Sequence, residues 1–320
     1  GLDGSFFNGK IGVNLNYFYN RTTGIPVLLG TQYPSWFSTG WPTTSFIPYV
    51  NNNEDQRSGW DFSVNYNQRV GKVNLTVGLT GNVLSTKAIK RDENYEDDYR
   101  SRIGKPLDGL WGLVSDGLYH CQEDIDRAGA TSSFGEVKPG DIRYVDQNGD
   151  GIIDDKDEVY LGRAGWSGAP FSYGINITAN WKGWTLFLRG AGSKGAYGMK
   201  DSSYYWVYGD RKYSEEVLNR WTFETARTAT YPRLTTLSGS NNFRSSDFWL
   251  YKADRFDLAK VQLTYDLPTR YLGNTWVRAV KVYVSGENLL TLSGERKLME
   301  MSIGGTPQCR VYNLGAKIQF

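Results

Sequence analysis

One stretch of the sequence decides the fold class, and it reads Val73-Asn74-Leu75-Thr76-Val77-Gly78-Leu79-Thr80-Gly81-Asn82-Val83. Apolar residues or glycine occupy every second position, and Asn, Thr and Gly fill the positions between them. Alternation with a period of two residues is typical of a β-strand with one apolar and one polar face. The stretch 60–67 alternates in the same way, and Arg69-Val70-Gly71-Lys72 separates the two as a tight turn. These stretches predict an antiparallel hairpin.

Six further stretches alternate likewise and bring the prediction to eight strands of about ten residues, the length of a tilted strand that crosses a bilayer. They begin at Ile11, Phe171, Trp184, Val261, Val280 and Tyr312. Short turns alternate strictly with long segments, which are 20–59, 86–169, 194–247 and 289–308. Outer-membrane barrels have short periplasmic turns and long extracellular loops. If Phe320 lies in the periplasm, all four long segments are predicted to be extracellular.

The composition excludes several classes of protein. Aromatic residues make up 15% of the 320 residues, yet the mean hydropathy is −0.50. No stretch approaches the roughly 18 apolar residues of a membrane-spanning helix. The net charge of +2, without a basic run, argues against a nucleic-acid partner. The sequence has one histidine, His120, and two cysteines, Cys121 and Cys309, which are too few for a zinc centre or a disulfide framework. A single disulfide between the two cysteines is still compatible with the sequence.

Alternation by itself is also compatible with a soluble β-sandwich, whose apolar face is buried. Aromatic residues near the strand ends favour the membrane barrel, in which such residues form interfacial girdles. They are Trp60, Phe171, Trp181, Trp184, Tyr265, Tyr312 and Phe320. The last strand, Asn313-Leu314-Gly315-Ala316-Lys317-Ile318-Gln319-Phe320, resembles the signal that the barrel-assembly machinery of the outer membrane reads.

Several motifs also resemble the C-terminal part of SusC-type TonB-dependent transporters, in the order in which that family has them. They are 57–62 (RSGWDF), 104–112 (GKPLDGLWG), 115–119 (SDGLY), 138–146 (KPGDIRYVD), 282–289 (VYVSGENL) and the terminal strand. The resemblance implies an all-β transmembrane antiparallel barrel of 22 strands, of which residues 1–320 supply about the last eight. The plug domain and the N-terminal strands are then absent from this chain, so we expect other chains or missing sequence to complete the barrel.

The same resemblance implies a function in the bacterial outer membrane. It implies the import of large nutrients, glycans or oligopeptides, powered through TonB and shared with a SusD-like surface lipoprotein. This chain is expected to supply wall and extracellular loops and no enzymatic activity, since no nucleophile and base are arranged for catalysis. The alternative is a soluble, calcium-stabilised β-rich module that binds carbohydrate.

The segment 86–169, predicted to be the largest extracellular loop, contains a calcium-loop motif at 146–157, DQNGDGIIDDKD. Oxygen-bearing residues stand at the EF-hand positions, with glycine at the sixth position and a hydrophobic residue at the eighth. The predicted Ca²⁺ ligands are Asp146, Asn148, Asp150, Asp154 and Asp157, with the backbone carbonyl of Ile152. The ion is expected to stiffen the loop. An acidic turn without an ion is the alternative.

Aromatic residues crowd two of the long segments, and such residues stack on sugar rings or anchor a protein partner. The candidates for contact with a substrate or partner are Trp36, Trp41, Tyr205, Trp206 and Tyr208. Packing of the loops on one another is an equally good explanation of these side chains.

Overall fold

The computed structural model describes residues 1–34, 47–236, 241–273, 276–303 and 305–320. Strands hold 51% of the chain and helices 10%, which confirms the all-β class. Within the described ranges the strands are β1 Leu2–Phe6, β2 Ile11–Leu28, β3 Tyr49–Val70, β4 Val73–Lys90, β5 Gly109–Gly112, β6 Ser115–Leu118, β7 Thr131–Ser132, β8 Ile142–Tyr144, β9 Ile152–Ile153, β10 Val159–Arg163, β11 Phe171–Trp181, β12 Trp184–Lys194, β13 Tyr197–Met199, β14 Leu250–Lys252, β15 Arg255–Asp266, β16 Ala279–Leu292 and β17 Val311–Gln319.

Nine of these strands form one large sheet, in the order β1-β2-β3-β4-β11-β12-β15-β16-β17. Every neighbouring pair is antiparallel, as a meander of hairpins requires. All eight predicted strands belong to it. The ninth, β1, escaped prediction because its five residues, Leu2–Phe6, are too few to show a clear alternation.

The register of the sheet keeps each predicted face intact from strand to strand. Leu79 lies between Val64 and Ile175 on the neighbouring strands, so apolar residues meet apolar residues. Thr80, one residue later, lies between Ser63 and Gly174 on the other face. A slip of one residue would exchange the two faces, so the alternation itself fixes the pairing.

The first long strands extend well beyond the predicted ten residues. β3 has 22 residues, and β2 and β4 have 18 each, so much of segment 20–59 is strand and not loop. Ion pairs fasten the extensions: Arg21 to Glu54 at 2.5 Å, and Arg91 to Asp55 at 2.6 Å. The extension of β3, residues 49–58, is mostly polar on both faces, and such a sequence lacks the apolar alternation by which a strand is recognised.

All the short connections of the large sheet lie at one of its ends. They are residues 7–10, 71–72, 182–183 and 267–278, and the terminal Phe320 lies at the same end. The long connections leave the opposite end, as the strict alternation of long and short links predicts.

The two longest connections, 91–170 and 195–254, fold together and share one hydrophobic core. Four small two-stranded sheets, β5 with β10, β6 with β8, β7 with β9 and β13 with β14, lie within them. The core takes residues from both connections, namely Leu113, Leu118, Ile142, Tyr144, Ile153, Tyr205, Val207, Val217, Trp221, Tyr231, Phe243 and Trp249. We call this unit the loop domain.

The helices are short and lie in the connections. They are α1 Gln122–Asp126 and α2 Arg296–Met301, with 3-10 turns at Gly30–Gln32, Asp98–Arg100, Asp155–Asp157, Glu215–Asn219, Asp247–Trp249 and Thr269–Tyr271. In the part of the chain that the structure describes, no helix combines the length and the apolar character needed to span a membrane.

Candidate functional site

One face of the large sheet is apolar and exposed over many strands. Twelve large side chains on it are between 37% and 86% exposed: Trp60, Leu79, Val83, Trp181, Trp184, Leu263, Val282, Val284, Leu290, Leu292, Leu314 and Ile318. The register places them all on the same side. Soluble monomers rarely expose a contiguous apolar patch of more than a few hundred Å². This face is therefore built to meet an apolar surrounding.

The opposite face is polar and carries charges near its middle. Asn82 donates a hydrogen bond to Asp61 across β3 and β4. Lys260 on β15 forms an ion pair of 3.2 Å with Glu287 on β16, next to Arg189 on β12. A hollow of about 730 Å³ opens on this face between β2 and β12, and its lining is rich in Asn, Ser, Thr and Gly. Such a surface suits contact with water or with another polar structure.

Aromatic rings gather on the apolar face near the end with the short turns. Trp184 packs on Tyr265 with 4.5 Å between ring centroids, and Trp181 is its partner across the turn. At the same end Trp276 stacks on the terminal Phe320 at 4.4 Å. These contacts follow the predicted girdle, because Trp and Tyr rings favour the boundary between apolar and aqueous regions.

The predicted calcium loop is a tight turn in which backbone N–H groups bind the carboxylates. Asp146 accepts the N–H groups of Gly149 at 2.7 Å and Gly151 at 2.9 Å, and Asp150 accepts that of Ile152 at 2.9 Å. Asn148 donates from its amide to Asp150. Gly149 and Gly151 have backbone φ angles of 74° and 81°, which residues other than glycine rarely adopt.

The two remaining predicted ligands fasten the exit of this loop. Asp154 accepts the N–H of Lys156 at 2.7 Å and begins the turn Asp155–Asp157. The fully buried Asp157 accepts the N–H groups of Gln147 and Asp154, each at 2.8 Å. The carbonyls of Gly151 and Ile153 bond to the strand at Thr131, so the Ile152 carbonyl between them faces the other way. Within the described ranges no three acidic, His or Cys side chains converge as a metal-binding group.

A 3-10 turn on the entry side of the loop domain, Asp98–Arg100, packs on this loop. The hydroxyl of Tyr99 donates to the carbonyl of Lys156 at 2.8 Å. Burial, followed by the charge of Asp97, raises the pKa of Tyr99 to about 12. Burial also raises the pKa of Glu158, and the neighbouring Asp155 adds to this effect.

The predicted contact aromatics have separate environments. Tyr205 is 5% exposed inside the core of the loop domain, where its carbonyl accepts the hydroxyl of Tyr231 at 2.6 Å. Trp206 and Tyr208 pack at the edge of that core, and Arg211 lies 3.8 Å above the Tyr208 ring. Loop packing therefore accounts for Tyr205, while Trp206 and Tyr208 keep some exposed surface. Trp36 and Trp41 lie outside the described residues.

Two buried polar networks of the loop domain were not predicted. Asp141, 1% exposed, accepts the Asn242 amide and the Arg233 guanidinium, at 2.8 and 3.0 Å, and thereby joins the two connections. Asp108, which has no exposed surface, pairs with Arg163 at 2.9 Å where the loop domain meets β4. Both acids lie in motifs that carry the family resemblance, GKPLDGLWG and KPGDIRYVD. That resemblance is the sequence feature that could have indicated a structural role for them.

The two cysteines are free thiols on exposed residues, Cys121 and Cys309. His120 lies beside Asp124, with 3.3 Å between the imidazole and the carboxylate.

Comparison with known proteins connects this geometry to a family. No protein-family profile matches the chain. TonB-dependent receptor P26 of Formosa agariphila is 28% identical over 310 residues, which are 92% of this chain and 30% of the relative. TonB-dependent receptor P3 of the same organism is 22% identical over 308 residues. The predicted resemblance to TonB-dependent transporters is confirmed.

Solved structures show the same fold. The RagAB peptide importer in its open-open state covers 99% of this chain with a TM-score of 0.72 at 17% identity, and in its closed-closed state covers 92% with a TM-score of 0.66 at 18% identity. The chain accounts for 34% and 31% of those importer chains, and for about the same share of its curated relatives. The large sheet thus has the fold of part of a TonB-dependent importer barrel.

Proposed function

We propose that this chain forms wall and extracellular loops of an outer-membrane importer of large nutrients, glycans or oligopeptides. TonB supplies the energy through a region outside this chain, and a SusD-like surface lipoprotein covers the loop domain. The chain itself has no catalytic role. The names of its relatives, TonB-dependent receptors, and of its structural neighbours, peptide importers, support this proposal.

The observation that carries the proposal is the exposed apolar face of the large sheet. Full burial of a large apolar side chain contributes about 1.5–3 kcal/mol. Because these twelve side chains are about half exposed on average, roughly 9–18 kcal/mol of stabilising free energy from their burial is not gained in water. That is as large as the whole stability of a typical domain, about 5–15 kcal/mol. An apolar bilayer resolves this cost, and a soluble monomer does not.

Within the part of the chain that the structure describes, the sheet also has two unpaired edges, at β1 and at β17. A sheet edge in a bilayer leaves backbone N–H and C=O groups without hydrogen-bond partners. We therefore infer that further strands, from other chains or from sequence outside these 320 residues, pair with both edges and close the barrel. The polar face then lines its interior, where the charges of Arg189, Lys260 and Glu287 meet water or a plug domain.

The alternative function is a soluble, calcium-stabilised module that binds carbohydrate. The well-packed loop domain and the exposed aromatic rings at the extracellular end fit it. It leaves the apolar face of the large sheet unexplained, because in a soluble sandwich a second sheet would cover that face.

Fractionation of membranes from the native source tests the proposal. Membranes are washed with salt and carbonate and then extracted with detergent, and each fraction is analysed by mass spectrometry. The proposal expects the chain in the detergent extract alone, together with a surface lipoprotein. Recovery in the aqueous fraction, at the level of a periplasmic control protein, would contradict it.

A structural calcium ion in the turn 146–157 is a second part of the proposal. Carboxylate oxygens have two lone pairs, so Asp146 and Asp150 can accept N–H groups and still coordinate an ion. The outward carbonyl of Ile152 matches the seventh position of an EF-hand loop. The bonds of Asp157 to the backbone must rearrange if its carboxylate is to join them. Calcium would thus stiffen a turn that backbone bonds already shape.

A further inference from the structure

A cavity of about 240 Å³ lies where the loop domain meets the extracellular end of β4. Its lining includes Ala88, Arg91, Arg102, Trp111 and Trp166. Ala88 has the same parity along β4 as Thr86 and Asn82, so the cavity lies on the polar side of the sheet. In the proposed barrel this is the side that faces the mouth. Drug-sized ligands take about 300–1,000 Å³, so this volume suits a single ring of a larger molecule.

The cavity wall is rigid because a buried ion pair holds it. Arg163 donates to Asp108 at 2.9 Å, to the Leu84 carbonyl at 2.6 Å and to the Gly168 carbonyl at 3.0 Å. Asp108 also accepts the N–H of Gly165 at 2.9 Å. The pair of Asp108 and Arg163 therefore holds both ends of the turn 165–168, and the bond to Leu84 connects this pair to β4.

That rigid turn presents Trp166 to solvent with 69% of its surface exposed. An exposed indole on a fixed turn contributes little to folding, but it offers a preformed flat surface for stacking. Trp111, which also lines the cavity, is half-buried and packs edge-on against Tyr160, with 5.9 Å between ring centroids. Two indoles thus border a space of the size of one ring.

In the part of the chain that the structure describes, two guanidinium groups line the cavity, those of Arg91 and Arg102, and only Arg91 forms an ion pair. Arg91 is held by Asp55 at 2.6 Å and by the carbonyls of Glu54 and Lys90. Arg102 lies over the Trp111 ring, 5.7 Å from its centroid. Among the described residues no carboxylate lies within 4.0 Å of the Arg102 guanidinium, although Arg102 also lines a second hollow together with Asp155 and Glu158. Arg102 thus has no ion-pair partner within the described ranges, and its N–H groups can donate hydrogen bonds into the cavity.

The backbone around the cavity does not favour an extended peptide. One way in which such peptides bind is by adding a strand to an open sheet edge. Here Ala88 donates its N–H to the Lys105 carbonyl at 2.9 Å and accepts the N–H of Gly104 at 2.7 Å, so this edge is already paired. Flat indole faces beside a guanidinium instead fit a sugar ring, whose C–H face stacks on the indole while its oxygens accept hydrogen bonds.

We propose that this cavity binds one sugar ring of an incoming glycan, with Trp166 stacking on the ring and Arg102 bonding to its oxygens. This inference rests on the proposed import function and narrows its substrate class from glycans or oligopeptides to glycans.

The test measures binding to the complete transporter, purified in detergent, by calorimetry. The probes are oligosaccharides of neutral hexoses, of pentoses and of uronic acids, together with a set of oligopeptides. The variants are Trp166→Ala and Arg102→Gln. The matched controls are Phe223→Ala, which removes an extracellular aromatic ring that is 86% exposed, and Arg227→Gln, which removes a charge from another exposed extracellular position.

At least one oligosaccharide is expected to bind, and each cavity variant is expected to weaken that binding about tenfold, which corresponds to about 1.4 kcal/mol. The controls should stay within about twofold. The proposal is overturned if no oligosaccharide binds, if peptides alone bind, or if glycan binding survives Trp166→Ala. Detergent extraction of the same preparations separates the two proposals, because a membrane-bound protein that binds no glycan contradicts only the sugar site.

Discussion

The substitution Leu79→Arg should strongly destabilise the folded barrel, while Thr80→Arg, one residue further on, should be tolerated. Leu79 lies on the apolar face, 44% exposed, between Val64 and Ile175. Thr80 lies on the polar face between Ser63 and Gly174, beside the hollow. The two sites share strand, depth and new charge, so only the face differs.

The magnitude follows from the position of Leu79 along β4. It lies six residues after Val73, the first residue of the strand at the short-turn end, or about 20 Å at roughly 3.4 Å per residue. With a tilt of about 40° this is about 15 Å above the turn, near the middle of an apolar band about 25 Å tall. An arginine facing lipid at mid-depth costs about 2–4 kcal/mol, or roughly 30- to 900-fold in the folding equilibrium.

The assay is refolding of the complete transporter into lipid vesicles across a urea series, with the folded fraction read from heat-modifiable gel mobility. Leu79→Arg should shift the midpoint strongly to lower urea, and Thr80→Arg should stay close to the unmutated protein. If the apolar face instead met water, arginine at this exposed position would change stability by no more than about 0.5 kcal/mol. Equal behaviour of the two variants would refute the reasoning.

Three further predictions concern the loop domain. Asp108→Ala should lower the free energy of unfolding of the loop domain by about 3–5 kcal/mol, because it leaves the buried charge of Arg163 without a partner. Asp108→Leu combined with Arg163→Met should recover most of that loss, and urea denaturation of the loop domain measures both effects. Calcium at one hundred times its Kd should raise loop stability by about 2.7 kcal/mol, and Asp150→Ala should abolish this increment as measured by protease resistance with and without EDTA; an unchanged increment would exclude the ion from this turn. The raised pKa of Glu158 means that the folded state holds its proton more tightly, so loop stability should fall as pH rises above the ordinary glutamate value of about 4.3. Glu158→Gln should flatten that part of the hydrogen-exchange pH profile, and an unaltered slope would count against the assignment.

The large sheet could be predicted because its information is local and periodic. In residues 73–83 the apolar or polar character of each residue indicates the face of the sheet on which it lies. The turn 69–72 fixes the pairing with the preceding strand. The halves of β2 and β3 that lie nearer the long connections could not be predicted in this way. Their polar faces are stabilised by cross-strand pairs such as Arg21 with Glu54, and such a pair is visible only once the register is known.

The candidate site was predictable only in part, because it depends on contacts between distant segments. The calcium motif is contiguous, so its spacing can be recognised in the sequence, and its residues form a hydrogen-bonded turn. The ion itself stays a prediction. The cavity brings Ala88, Arg102 and Trp166 together across almost 80 residues, through the buried pair of Asp108 and Arg163. Nothing in the sequence distinguishes Trp166, which is exposed, from Trp221, which the core buries.

The central claim is that alternate residues of β4 face lipid, and depth-dependent fluorescence quenching tests it most directly. In a background with Cys121 and Cys309 replaced by serine, single cysteines at 75, 76, 77, 79, 80, 82 and 83 are labelled with a small fluorophore, and the transporter is placed in vesicles of brominated lipid. Gly78 and Gly81 are left unchanged because a side chain there would overlap Asn176 and Phe62. We expect strong quenching at 75, 77, 79 and 83 and weak quenching at 76, 80 and 82. Uniform quenching, or none at any position, would contradict a membrane-facing sheet.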